Sequence, residues 1–150
     1  MSTTLEGTTE FLNVDLDIYS RRSLKPLVRA FGEQVIVLYL GRERQDYVAH
    51  LELADQPKAA DRAVRDFGNL VNRLTSAQRK IWNTAIARSF NIGIQAASKA
   101  KPFEIELSPR TIRVLCSLNA GVAFTVYAPR FPDSARKRNS RSESPLAKIV

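Results

Sequence analysis

FLNVDLDIY, residues Phe11 to Tyr19, alternates apolar and polar side chains from Leu12 to Ile18. Leu12, Val14, Leu16 and Ile18 point one way; Asn13, Asp15 and Asp17 point the other. A period of two is the signature of a strand with one face on a core and the other in water. YVAHLEL repeats the pattern, with Tyr47, Ala49, Leu51 and Leu53 opposed to His50 and Glu52. FEIEL does so again, with Phe103, Ile105 and Leu107 opposed to Glu104 and Glu106. Three strands that each place carboxylates on their polar side predict a sheet with an acidic open face.

Helical periodicity fills the gaps between these strands. Ser20 or Ser23 can cap a helix in which Leu24, Leu27, Val28 and Phe31 form a stripe, and Gly32 stops it. VIVLYL (Val35–Leu40) is apolar on both faces and reads as a central strand. The short GRERQD turn makes it a hairpin with Tyr47–Ala54. A helix over about Ala59–Leu74 follows. Thr75 and Gln78 are spaced as a capping box for another, which presents Ile81, Trp82 and Ala85. Arg88–Ala96 alternates as a strand. In SPRTIRVLCSLNAG, Ser108 caps a helix, Pro109 opens it, and Asn119 to Gly121 end it; its expected buried side is Ile112, Leu115, Cys116 and Leu118. Val122–Tyr127 closes the series.

The order β-α-β-β-α-α-β-β-α-β predicts an α+β fold. Two layers are expected: a mixed sheet of about six strands with three to four helices on one face, ferredoxin-like in outline. The expected organisation is a loose segment over residues 1–9, one domain over 10–129 and a basic disordered tail over 130–150. FLNVDLDIYS, RSFNIGIQ, FEIELSPRTI and FTVYAP together resemble a small uncharacterised family of bacterial α+β proteins, over about residues 11–129. That resemblance carries no catalytic residue with it.

Composition narrows the function classes. The 150 residues carry a net charge of +8, and residues 130–150 hold six basic and two acidic residues. Such an excess favours polyanions through non-specific electrostatics. Cys116 is the single cysteine, which excludes an internal disulfide and a cysteine-rich zinc site, and suits a reducing compartment. There is no basic, apolar leader at the start and no apolar run long enough for a bilayer, so the expected setting is cytoplasmic, without membrane association.

No phosphate-cradling glycine cluster or metal-ligand spacing is present, and no cofactor, metal or catalytic residue is assigned. Asp15, Asp17, His50 and Glu52 would converge if the first and third strands are neighbours. Carboxylates around one imidazole suit cation binding or acid–base work; the competing reading is a merely wet sheet face. His50, the single histidine, is the only imidazole base for a nucleophile. The function read from the sequence is a non-enzymatic interaction domain, immunity- or adaptor-like. It would bind a basic protein partner, or itself as a homodimer, through Asp15, Asp17, His50, Glu52, Glu104 and Glu106. The first alternative is nucleic-acid binding by the basic helices and the tail residues Arg136, Lys137, Arg138 and Arg141. The second is a hydrolytic or metal-dependent enzyme using Asp15, Asp17 and His50.

Overall fold

A computed structural model describes residues 7–99 and 101–130. They form an α+β unit: β1 (Glu10–Ser20), α1 (Lys25–Phe31), β2 (Val35–Glu43), β3 (Asp46–Leu53), α2 (Ala60–Asn72), α3 (Ser76–Asn83), β4 (Ala87–Gln95), α4 (Pro109–Leu118) and β5 (Gly121–Tyr127). The sheet is mixed and five-stranded, in the order β2-β3-β1-β4-β5. β1 pairs antiparallel with both β3 and β4, β2 pairs antiparallel with β3, and β4–β5 is parallel. The β1–α1–β2 unit is thus split by β3, and α4 carries the chain back to lay β5 beside β4.

One core explains why the strands alternate. Val14, Leu16 and Ile18 of β1, Ala49, Leu51 and Leu53 of β3, and Phe90 and Ile92 of β4 join a single cluster. Leu27, Val28 and Phe31 of α1, Val64, Phe67 and Val71 of α2, Trp82 of α3, and Leu115 and Leu118 of α4 complete it. All four helices therefore cover the same face, and the alternate strand residues are left on the other. Local signals act where the residues place them. Thr75 and Gln78 form a reciprocal capping box, Ser108 Oγ accepts from the Thr111 amide, and Asn119 ends α4 in the left-handed region.

Four expectations are corrected. Residues 103–107 form no strand, so the sheet has five strands rather than six. Their alternation is real, but Ile105 and Leu107 pack on the core as a loop leading into α4, and Glu104 and Glu106 lie off the sheet. β2 is an edge strand, not a central one; its VIVLYL run leaves Ile36, Val37, Leu38 and Tyr39 exposed. Val48 sits in the polar register of β3 yet is fully buried, outside the main core. It lies opposite Gly41, across which the Tyr39 ring is laid: a β-carbon at Gly41 would meet Tyr39 Oη at 2.7 Å. Finally, Cys116 is exposed. The buried stripe of α4 is Thr111, Leu115 and Leu118, one step round from the expected stripe, because a threonine takes a core position and Ile112 does not.

Candidate functional site: the open face of the sheet

Register brings the four predicted residues together. Asp15 lies opposite Glu52 and Asp17 lies opposite His50, so two neighbouring rungs of the β1–β3 ladder hold all four side chains on the face away from the helices. Directly opposed residues in such a ladder stand about 5 Å apart at their β-carbons. Asn91 and Ser89 of β4 continue the two rungs beyond Asp15 and Asp17, while Ile36 and Tyr39 of β2 continue them beyond Glu52 and His50.

The contacts within this group are directional. His50 Nδ1 donates to Asp17 Oδ1 at 2.6 Å, which fixes the ring orientation. Tyr19 meets the imidazole edge-on with ring centres 6.2 Å apart, and Tyr39 lies against it at 5.8 Å. Asn13 Nδ2 donates to Asp15 Oδ1 at 2.9 Å, and Thr125 Oγ1 donates to Asn91 Oδ1 at 2.8 Å. Opposed carboxylates repel, and Asp15 records the cost. Burial first, then the charges of Glu52 and Asp17, push its pKa up to about 6; His50 pulls the other way. Burial first, then Asp17 and Glu43, also raise the Tyr19 phenol, which stays protonated.

The order of residues across the sheet decides what chemistry is available. Asp17 stands between His50 and Ser89. A nucleophilic relay needs the imidazole in the middle, within hydrogen-bond reach of the hydroxyl. Here His50 and Ser89 are two strands apart, roughly 10 Å at the usual strand spacing. Cys116, on the opposite layer, has no imidazole near it. Among the described residues no group of three or more His, Cys, Asp or Glu side chains is arranged to hold a metal ion. A cleft of about 380 Å3 opens elsewhere, between the end of β3 and α2, and its lining residues include Glu33, Asp55, Arg62, Asp66 and Arg73. Arg62 is engaged there by Asp66 at 3.4 Å and Asp55 at 3.7 Å. None of the four site residues lines that cleft.

Comparison with protein families, curated proteins and solved structures found no match. The geometry alone therefore carries the functional reading.

The remaining predicted residues are placed as follows. Glu104 and Glu106 do not join the cluster, because their segment is not in the sheet. Arg136, Lys137, Arg138 and Arg141 lie outside the described residues. On the helical layer, Arg65 pairs with Asp61 at 3.1 Å, and Arg79 donates to the Val71 carbonyl and to Asn72. No described helix is long and apolar enough to cross a membrane. Sequence reading missed Tyr19 and Tyr39 as walls of the His50 site. Tyr19 shares the parity of Asp15 and Asp17, which was a usable signal. Tyr39 was hidden by an irregularity between Val37 and Tyr39 that shifts its register.

Proposed function

We propose that this chain is a non-enzymatic interaction domain, of adaptor or immunity type, that docks a basic protein partner on the open face of its sheet. The observation that supports the reading is the rung pair Asp15–Glu52 and Asp17–His50, where three carboxylates crowd one imidazole on a surface rather than in a pocket. An Asp15 pKa raised to about 6 means that the folded chain holds this charge at a cost. A lysine or arginine side chain arriving on the face relieves that cost, and the flat tyrosine rings beside His50 offer it a stacking surface. A shallow, polar patch suits docking of a macromolecule better than enclosure of a small substrate. Charge complementarity of this kind mainly speeds encounter and fixes orientation. A bacterial cytoplasmic setting is part of the proposal.

The test is affinity capture from the native host with two baits, the wild type and the Asp15→Asn/Asp17→Asn/Glu52→Gln variant, followed by association kinetics at two salt concentrations. The expected result is a basic partner that the wild type retains and the variant loses, with a wild-type association rate that falls as salt rises. Equal capture and equal rates for both baits would overturn the reading.

A further inference from the structure

We infer that the free edge of β2 is a self-association surface, at which two copies of this chain pair antiparallel and join their sheets into one of ten strands. The inference is independent of the acidic face and rests on a mismatch between composition and position. VIVLYL has the two-sided apolar character of a strand inside a sheet. β2 instead lies at the end of the order, paired only with β3. Its side chains are correspondingly bare: Ile36 is 40 % exposed, Val37 44 % and Leu38 50 %.

Natural edge strands are protected by charges, prolines, brevity or bulges. β2 has nine residues, no proline, and no charge before Arg42. Its one irregularity is the register shift between Val37 and Tyr39. That shift sets which residues share a side. Val35, Val37, Leu40 and Arg42 lie over Leu53, Leu51, Ala49 and Tyr47, on or continuing the helix side; Ile36, Tyr39 and Gly41 lie over Glu52, His50 and Val48 on the open side.

A twofold axis normal to the sheet, passing between Val37 and Leu38, then pairs like with like. Val35 meets the second copy's Leu40 on the helix side, and Ile36 meets its Tyr39 on the open side. Without the shift, these pairs would join opposite faces, because a one-residue slip inverts every side chain. Sliding the register one allowed step further would put Val35 against Arg42. Backbone hydrogen bonds supply the attraction, and the matched apolar pairs supply the register, as in strand addition generally. The contact is isologous, so it closes at two copies.

The experiment is light scattering on the full chain after size exclusion, over a concentration series reaching the high micromolar range. The wild type is expected to reach the mass of a dimer. Leu38→Lys, an exposed position whose change spares the core, is expected to keep the urea midpoint and to weaken dimerisation by at least about tenfold. Val126→Lys on the opposite edge strand and Asp17→Asn on the open face are expected to leave it unchanged. A wild type that stays monomeric throughout, a dimer indifferent to Leu38→Lys, loss of the dimer through Val126→Lys or Asp17→Asn, or open-ended assembly would each overturn the inference.

Discussion

Asp15 shows how one residue couples the fold to its surface chemistry. Its folded pKa, about 6, lies above the ordinary aspartate value of 3.8. Between those values the folded chain holds a proton that the unfolded chain has released. Stability therefore falls as pH rises from about 4 to about 6 and levels off above. The loss attributable to Asp15 is expected to be about 1 kcal/mol, because partial solvation screens the larger figure that a shift of about two units would imply. Asp15→Asn should remove this component and leave stability at pH 7 unchanged or slightly raised, as read by urea melts across pH. A second residue-scale outcome concerns Cys116. Its exposure on α4 predicts that a thiol reagent labels the native protein at a rate close to that of the unfolded chain. Protection until unfolding would instead place the thiol in the core.

At the scale of elements, the least legible feature is Arg88, a buried cation in a strand otherwise read for its alternation. Its guanidinium donates to the carbonyls of Trp82 and Ala85 at the end of α3 and to Asn119 O at the end of α4. Trp82 Nε1 donates to the Leu118 carbonyl alongside at 3.1 Å. Two helix C-termini, whose last carbonyls lack partners within their own helices, are thus satisfied by one side chain from β4 and one from α3. Arg88→Met should leave those carbonyls unpaired and cost about 2–4 kcal/mol in urea unfolding, with Arg88→Lys intermediate. A smaller effect is expected at the start of α3, where Thr75→Ala removes one half of the capping box for about 1 kcal/mol. The other end of α4 is tied by Asp61 of α2, whose Oδ1 accepts from the Ser108 amide at 2.7 Å. Hydrogen bonding from Thr111 and then Ser108, with Arg65 nearby, holds the Asp61 carboxyl below its ordinary value, despite a smaller opposing push from burial. The helices are joined by polar clasps at their ends as well as by apolar packing beneath.

At the scale of the whole molecule, β1 lies at the centre of the sheet, and its two faces have different physical roles. Leu16 is fully buried beneath the helices, whereas Asp15 and Asp17 face outward. Leu16→Asp places an unpaired charge in the core and should cost several kcal/mol, enough to unfold a marginal domain. Asp17→Asn should leave the melt close to wild type while loosening the orientation of His50. Comparable losses for the two variants would mean that the layers are not arranged as described.

The alternation from Val14 to Ile18 and in YVAHLEL, the capping residues Thr75 and Ser108, and the stop at Asn119 were all legible in the sequence; Leu12, expected on the core face, is instead 40 % exposed, because a register shift between Phe11 and Asn13 packs Phe11 on the core in its place. Each is a local preference that acts over a few neighbouring residues. Those patterns also assigned Asp15, Asp17, His50 and Glu52 to polar faces. What no local pattern contained was adjacency. Only the pairing of β1 with β3 made the four residues one group, and only the edge position of β2 turned an apparently central strand into an exposed one. The FEIEL segment shows the same limit from the other side. Its period-two pattern is intact, but the place beside β4 is taken by β5, and the segment packs Ile105 and Leu107 on the core as a loop. Side-chain periodicity is written residue by residue along the chain, whereas strand order is settled by which long-range pairings bury the most apolar surface together, so the tertiary structure alone decided the neighbours.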